Sequence, residues 1–335
     1  MLDAEDYDDA VTTLKPGIAT SLPDLITAEQ VSRKRIEKSA DRTHAWLRDT
    51  LETREQSSST LFASVAPLEA EEQQLYLQDL AEEYSANLAG LATYDIETST
   101  QLPESLSDQA RLCIADPQVP REVLRAVSVG NDLLTVPLVT RTSELGQAFT
   151  FSFPAPQPAE SGQMPLILDM WSSEHTTSVT PLVAGCKCYT CTSHHRAYLH
   201  HLLQAKEMLA WTLLQVHNFA VFDRFFEGMR QSIKSGTFEK DAKHFDEVYE
   251  DGISAGEGES RRPRIRGYQM KSVGGDPKKN EKKWGRFENG TSHETTAELE
   301  EAAVEESAAD SHLNETSSDL VTLGLAEKAE KVESR

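Results

Sequence analysis

The sequence feature that most constrains the fold is a group of three cysteines followed by a histidine. Cys186, Cys188 and Cys191 lie within six residues, and His217 follows 26 residues later. Three thiolates and one imidazole complete a tetrahedral shell around zinc, whereas a catalytic zinc usually leaves one position open to water. We therefore predict that these four residues bind one structural Zn²⁺ per chain.

The spacing of these residues predicts a bent helical hairpin. One straight helix would separate Cys191 from His217 by roughly 39 Å, because each residue adds about 1.5 Å, yet zinc bonds are only about 2 Å long. We place a break near residues 204–206, between a helix that starts near Ser193 and a second that starts near Glu207. Apolar residues at helical spacing favour packed helices on both sides of the break: Tyr198, Leu202, Leu209, Leu213 and Val216.

Two other interpretations of this region stay open at this point. The thiols could form a disulfide or a redox pair, but Cys186 and Cys188 are too close in sequence for an easy, unstrained bridge. The fourth cysteine, Cys113, lies far upstream. Nearby histidines could replace a ligand, although solvated or capping positions on the first helix are the simpler interpretation: His194, His195, His200 and His201.

Composition predicts a cytoplasmic protein of which only part folds. The acidic N-terminus lacks the basic region and apolar core of a signal peptide, and no stretch reaches the ~18 apolar residues of a membrane span. The net charge of −22 and the hydrophobic share of 38% indicate an unfolded portion. Residues 294–335 contain twelve acidic and three basic residues and no aromatic residue. This composition predicts a disordered acidic tail.

A basic stretch precedes the predicted tail. Residues 261–286 contain ten basic and two acidic residues, with Tyr268 and Trp284 among them. Such a stretch can contact an RNA backbone electrostatically, but a solvated linker is the simpler interpretation. We therefore assign residues 236–293 to a basic linker region.

The first 160 residues alternate between strand and helix patterns. The predicted strands are Leu61–Val65, Gly90–Tyr94, Leu112–Ala115, Asp132–Val136 and Gln147–Phe153. The predicted helices are Thr27 to about Glu55, with a capping box at Thr27 and Gln30, then Glu71–Asn87 and Arg121–Ser128. Such repeated units favour a parallel α/β sheet, either doubly wound or in a (β/α)₈ barrel. Periodicity alone does not choose between them.

Several motifs resemble the tRNA-guanine transglycosylases. The zinc region of that family is similar to GCKCYTC at 185–191, HRAYLHHL at 195–202 and LQVHN at 214–218, and KSADRT at 38–43, VGNDL at 129–133 and GQAFT at 146–150 precede it in the family's order. The resemblance covers about 22–233. It implies a TIM (β/α)₈-type barrel over 1–235 that lacks its first strands, with a zinc subdomain at about 181–235.

The resemblance also implies what this chain has lost. The family exchanges guanine for a modified base at the tRNA wobble position, through attack of an aspartate carboxylate on the ribose. The position of that nucleophile holds Thr135 here. Two segments that form the base pocket in the family, 65–68 and 93–95, also depart from its pattern. We therefore expect no catalytic residue in this chain.

These losses match a non-catalytic subunit that forms a heterodimer with a catalytic paralogue. The resemblance implies support for the exchange of guanine for queuine in tRNAs with GUN anticodons (Asp, Asn, His, Tyr), giving queuosine, with tRNA contacted through the complex. One alternative is an active transglycosylase that uses Asp132 or Asp95, although Asp132 fits a buried structural carboxylate at a strand start. The other is a stand-alone zinc-stabilised RNA-binding protein.

Overall fold

The computed structural model describes residues 4–28, 30–53, 59–157 and 162–252. The predicted basic stretch at 261–286 and the predicted acidic tail at 294–335 lie outside these residues. In the part of the chain that is described, no helix combines the length and hydropathy needed to cross a membrane.

A five-stranded parallel sheet forms the first half of the fold. Its strands are β1 (Ile18–Thr20), β2 (Thr60–Val65), β3 (Gly90–Thr93), β4 (Ala110–Cys113) and β5 (Leu133–Leu134). They lie side by side in chain order, and each pairs in parallel with the next. A doubly wound sheet reverses its strand order at a switch point, whereas a barrel keeps chain order. The described sheet is therefore a curled parallel half-barrel.

Ten α-helices accompany this sheet among the described residues. They are α1 (Ala4–Leu14), α2 (Arg33–Thr53), α3 (Gln74–Asp79), α4 (Ile96–Thr100), α5 (Pro120–Ser128), α6 (Pro137–Glu144), α7 (Tyr189–Ser193), α8 (Arg196–Gln204), α9 (Met208–Ser235) and α10 (Phe238–Val248). A second sheet pairs β6 (Gln147–Phe149) antiparallel with β7 (Ile167–Asp169).

The sequence predicted β2 to β5 with ends that differ by at most two residues. In β2 and β3 the signal is a nearly continuous run of buried residues, because strands of a parallel sheet are covered on both faces. In β2, for example, Leu61, Phe62, Ala63 and Val65 are all buried. Helix α5, with Pro120 in its first turn, also matches its prediction.

The predicted strand Gln147–Phe153 is wrong in its second half and in its partner. Only β6 is a strand, and it pairs antiparallel with β7 rather than joining the parallel sheet. Phe151 and Phe153 nevertheless stay buried in an aromatic cluster with Phe225 and Phe245. Burial of every second residue imitates a strand pattern, although β6 itself ends at Phe149 and the last backbone hydrogen bond to this neighbour runs from the Thr150 N–H to the Leu166 carbonyl at 3.0 Å.

Helix α2 begins at Arg33, so the predicted start and capping box at Thr27 are wrong. The residues before the helix run along its side instead. Asp24 holds them there: its carboxylate accepts hydrogen bonds from Arg35 at 2.9 and 2.7 Å and from Arg42 at 2.8 Å. These tertiary contacts override the local capping signal.

The predicted helix Glu71–Asn87 is a composite of helix types. A 3₁₀ turn (Ala70–Gln73) leads into α3, which continues as a π turn (Leu80–Tyr84) and a second 3₁₀ turn (Ser85–Asn87). Its buried apolar side chains are Tyr76, Leu77, Leu80 and Tyr84, of which Tyr76, Leu80 and Tyr84 are spaced four apart. The wider π turn keeps residues at this spacing on the buried side.

Strand β1, helix α1 and helix α10 are among the elements that were not predicted. Strand β1 and helix α1 contact each other, since the Tyr7 hydroxyl donates a hydrogen bond of 2.7 Å to the Thr20 carbonyl. Three residues are too few for β1 to show a period. Helix α10 lies in the segment assigned to the basic linker, yet Phe238, Phe245 and Val248 are buried in the aromatic cluster. The folded part therefore continues past residue 235.

The packing of α9 against the aromatic cluster gives a stability prediction. A Cβ added at Gly228 would lie 2.1 Å from the backbone oxygen of Phe153. We expect Gly228→Ala to lower the free energy of unfolding by about 1–3 kcal/mol, although alanine normally stabilises a helix interior by ~1 kcal/mol. Urea unfolding measures this. Gly17→Ala, where nothing lies within 4 Å, is the control. A Gly228→Ala variant more stable than wild type would contradict the close contact.

Candidate metal centre

The structure brings the four predicted ligands together. The donor atoms of Cys186, Cys188, Cys191 and His217 all lie within 4.8 Å of one another. The Nδ1 atom of His217 is 3.9, 3.5 and 3.4 Å from the three sulfurs in that order. A tetrahedral zinc with bonds of about 2.3 Å to sulfur and 2.05 Å to nitrogen requires a sulfur–nitrogen separation of about 3.6 Å. The donor set therefore fits zinc.

The cysteines sit on a tight turn that leads into α7. Gly185 has a φ of 74°, in the left-handed region where glycine is favoured. Cys188 occupies the N-cap of α7, and its sulfur accepts the backbone N–H of Cys191 at 3.4 Å. This turn directs the three sulfurs towards one point.

The helical hairpin returns the chain to the cysteines, and its predicted break is confirmed. Helix α8 ends at Gln204, the chain turns through Lys206 with a φ of 56°, and α9 begins at Met208. The first helix begins at Arg196, three residues later than predicted, because the short α7 precedes it.

A hydrogen bond to strand β6 orients the His217 ring. Its Nε2 lies 2.9 Å from the carbonyl oxygen of Phe149. Donation to this carbonyl leaves the lone pair of Nδ1 facing the sulfurs, the arrangement typical of histidine ligands. Burial lowers the pKa of His217 to about 4, so the ring is neutral at pH 7, as a metal ligand must be.

The neighbouring Asn218 fixes the same helix to β6. Its side chain accepts the N–H of Phe149 at 2.9 Å and donates to the Gln147 carbonyl at 3.0 Å. Residues 217 and 218 therefore tie α9 to two positions of one strand, Gln147 and Phe149. The ligand is positioned by the sheet as well as by the hairpin.

The three thiols differ in acidity. Burial raises the pKa of Cys191 to about 12 and also raises the pKa of Cys188. Burial likewise opposes ionisation of Cys186, but hydrogen bonds from the Cys188 backbone and from Arg224 bring its pKa below the ordinary value. Binding of a cation would therefore release protons from the two weaker acids, and metal affinity should rise with pH.

The other histidines of the hairpin have separate roles. The Nδ1 of His195 caps α8 by accepting the Tyr198 N–H at 3.1 Å, and His194 stacks on the Tyr198 ring with centroids 5.0 Å apart. His201 is exposed. His200 corrects the prediction of a solvated or capping residue, because it is buried and its Nδ1 lies 2.9 Å from the Met170 carbonyl.

The predicted apolar stripe is only partly buried. Leu202 and Leu213 belong to the core of the hairpin, but Leu209 and Val216 are exposed to 45% and 39%. Phe219, one turn after Val216, is exposed to 44%. The face of α9 beside the ligand His217 therefore presents apolar side chains to the surroundings.

Sequence reasoning missed Arg224. Its two terminal nitrogens lie 3.3 and 3.2 Å from the sulfur of Cys186. A signal was present in the sequence, since Arg224 follows His217 by seven residues. Seven residues are two helical turns, which place both side chains on the same face of α9.

Thr135 lies at the carboxyl edge of the parallel sheet, where barrel enzymes carry their catalytic groups. It follows β5, and its hydroxyl donates a hydrogen bond of 2.8 Å to the Ala115 carbonyl. Asp132 lies at the opposite end of β5, where its carboxylate accepts the Arg111 N–H at 2.9 Å. It is a structural group, although it is exposed rather than buried as predicted.

Three carboxylates that follow other strands of this sheet are engaged in structural contacts. Asp95, after β3, caps α4 by accepting the Thr98 N–H at 2.6 Å. Asp116, after β4, pairs with Arg141. Asp24, after β1, is held by its arginines as described above.

Hydroxyl groups lie in or beside the segments 65–68 and 93–95, for which the sequence predicted an altered base pocket. The Tyr94 hydroxyl lies 2.9 Å from the Ser64 hydroxyl, and the Tyr76 hydroxyl donates to the Ser64 carbonyl at 2.7 Å. Burial raises the pKa of Tyr94, so this phenol stays neutral at physiological pH. This part of the edge is filled by uncharged, mutually bonded side chains.

Comparison with known proteins shows extensive similarity. Residues 1–251 match the family described as queuine tRNA-ribosyltransferase. A Schizosaccharomyces pombe protein is 34% identical over 306 residues, covering 90% of this chain and 68% of the relative. A Drosophila melanogaster protein is 29% identical over 255 residues, covering 70% of this chain and 60% of the relative. Both are named queuine tRNA-ribosyltransferase accessory subunit 2. The chain thus spans about two thirds or less of their lengths.

The metal centre gives a direct prediction. We expect Cys188→Ala and His217→Ala to reduce bound zinc from about one per chain to near zero and to unfold the hairpin, because structural zinc sites contribute on the order of 10 kcal/mol to folding. Metal analysis and far-UV circular dichroism measure both effects. Cys113→Ala, which removes a buried cysteine of β4 outside the cluster, should keep its zinc. Full zinc occupancy in both ligand variants would show that the ligand assignment is wrong.

Proposed function

The chain belongs to the queuine tRNA-ribosyltransferase family, and we propose that it is the non-catalytic subunit of a heterodimeric enzyme of that family. In this role it binds a catalytic paralogue and supports the exchange of guanine for queuine at the first anticodon position of tRNAs with GUN anticodons, giving queuosine. The names of its relatives, which are accessory subunits, support this assignment. Contact with tRNA occurs through the complex.

The observation that carries the proposal is the state of Thr135. A neutral hydroxyl is a weak nucleophile unless a base removes its proton, and the Thr135 proton is directed at the Ala115 carbonyl, which is not a base. The nearby Asp95 and Asp116 are committed to a helix cap and an ion pair. Attack on the ribose therefore has to come from the partner subunit.

We propose Cys186, Cys188, Cys191 and His217 as ligands of one structural Zn²⁺. Bound zinc would supply cross-links between the turn before α7 and the middle of α9. The residues of the chain supply the rest of the rigidity, because His217 and Asn218 also hold α9 to β6. Three reduced thiolates fit a reducing compartment, which supports a cytoplasmic location.

We further propose that the parallel sheet is part of a (β/α)₈ barrel. Its strands follow chain order, as they do in a barrel. The family match begins in this region and continues through α9 and α10 to residue 251. In such a barrel, Thr135 would face the mouth where the family performs its chemistry.

The partner surface that we propose flanks the metal centre. Val216 and Phe219 lie one turn apart on the same face of α9, and Val216 directly precedes the ligand His217 in the chain. Tyr189, which follows the ligand Cys188, is exposed to 61%. Exposed aromatic and aliphatic side chains on a rigid support are typical of the centre of a protein interface. We assign the catalytic paralogue to this surface because accessory subunits of the family are the chain's relatives.

This surface predicts how mutations affect assembly. We expect Val216→Asp combined with Phe219→Asp to weaken binding to the paralogue by at least about tenfold, because a charge is then buried in an apolar interface. Ile233→Asp is the matched control, since Ile233 is exposed to 52% on the same helix. It lies roughly 21 Å from Phe219 along the helix axis. Isothermal titration calorimetry measures the affinities. If the double variant bound the paralogue with wild-type affinity, the interface would lie elsewhere on the chain.

The division of labour predicts the result of a tRNA trapping assay. The purified chain alone should form no covalent adduct with tRNA and no exchange product, whereas the co-expressed pair should exchange guanine. An adduct formed by this chain alone would establish the alternative of an active transglycosylase. A chain that stays monomeric beside the paralogue and binds tRNA unaided would instead support a stand-alone RNA-binding protein.

A further inference from the structure

The proposed metal centre has a charge imbalance. Zn²⁺ with three thiolates and a neutral imidazole carries a net charge of −1. The centre is shielded from water on one side, since His217 is fully buried and Cys188 is exposed to only 9%. A net charge in such surroundings is costly unless a nearby group of opposite charge or a hydrogen-bond donor offsets it.

Arg224 is placed to supply both a positive charge and hydrogen-bond donors to the cluster. Its two terminal nitrogens approach the single sulfur of Cys186 at 3.3 and 3.2 Å, within the range of hydrogen bonds to sulfur. The guanidinium is charged at every physiological pH and presents its donors in a fixed plane. The contact therefore needs no change of protonation on the arginine.

The helix makes this contact specific to one sulfur. Arg224 is two turns beyond His217, about 10.5 Å along α9, so it reaches the outer side of the cluster where Cys186 lies. Cys186 and Cys191 are the half-buried ligands, whereas Cys188 is buried. Cys188 instead accepts the Cys191 N–H at 3.4 Å. The arginine therefore serves one of the two more accessible sulfurs.

The environment of Arg224 favours this role over an ordinary surface ion pair. Most other arginines of the described chain pair with carboxylates, as Arg230 does with Glu227 on the same helix. Arg111 and Arg196 donate to backbone carbonyls instead. The hydrogen bonds of the Arg224 guanidinium within the described residues go to the sulfur. The position of the Arg224 guanidinium is therefore set by the metal site rather than by a neighbouring carboxylate.

We propose that Arg224 is a positioning residue of the metal centre, which holds the Cys186 sulfur in place and offsets the negative charge of the zinc-bound cluster. Two consequences follow: tighter binding of zinc, and protection of the Cys186 sulfur from electrophiles. The second arises because a sulfur lone pair engaged with N–H donors is less available for attack. This inference rests on the zinc site proposed above.

Chelator competition on the full-length chain tests the first consequence. We expect Arg224→Gln to weaken zinc binding by about 10- to 100-fold, the usual effect of removing a group that supports a metal ligand. Arg224→Lys, which keeps the charge but loses the paired donors, should fall between Gln and wild type. Arg230→Gln removes an equally charged side chain from the same helix and should leave the affinity unchanged.

Alkylation tests the second consequence, the protection of the Cys186 sulfur. The zinc-loaded chain is treated with iodoacetamide, and peptide mass spectrometry measures the rate at each cysteine. Cys186 should react at least several-fold faster in Arg224→Gln than in wild type, while the rate at Cys188 should change little. A wild-type chain without zinc would refute the proposed metal site. A wild-type chain with zinc, together with Arg224→Gln and Arg224→Lys variants of unchanged affinity and labelling rate, would overturn only the role of Arg224.

Discussion

The position of His217 is the constraint on which the second half of this structure depends. One ring must satisfy two demands at once: its Nδ1 faces three sulfurs, and its Nε2 lies 2.9 Å from the Phe149 carbonyl. The first demand forces the chain to fold back after α8. The second fixes the rotation of α9 about its axis, because only one face of the helix can meet β6.

Once α9 is rotated in this way, its remaining contacts follow. Positions on the β6 side bury Phe222 and Phe225 in the aromatic cluster, and Gly228 allows the helix to lie directly against the Phe153 backbone. The opposite face exposes Val216 and Phe219. The same rotation therefore creates the core, the metal site and the apolar surface. Loss of the proposed zinc should therefore disturb all three.

The sequence predicted the features that short-range geometry dictates. The hairpin break followed from bond lengths and the rise of a helix, and β2 to β5 followed from apolar runs. It failed where distant residues decide the outcome. Asp24 displaces the start of α2 through Arg35 and Arg42, and Phe238 and Phe245 draw α10 into a core that its charged sequence conceals. His200 is buried by packing against Met170, which a local pattern of histidines does not show.

The proposed combination of a retained metal centre and a lost nucleophile has a physical explanation. Structural zinc binding is coupled to folding, so removal of any ligand would unfold the hairpin and disrupt the surface that it supports. Thr135 is different, because its hydroxyl completes a hydrogen bond to Ala115 and its backbone N–H donates to the Cys113 carbonyl at 3.1 Å. A carboxylate there would add a charge at the end of a strand without adding to the fold. In the proposed accessory role, a chain selected for assembly alone could therefore lose its nucleophile at no cost in stability, but it could not lose the cysteines.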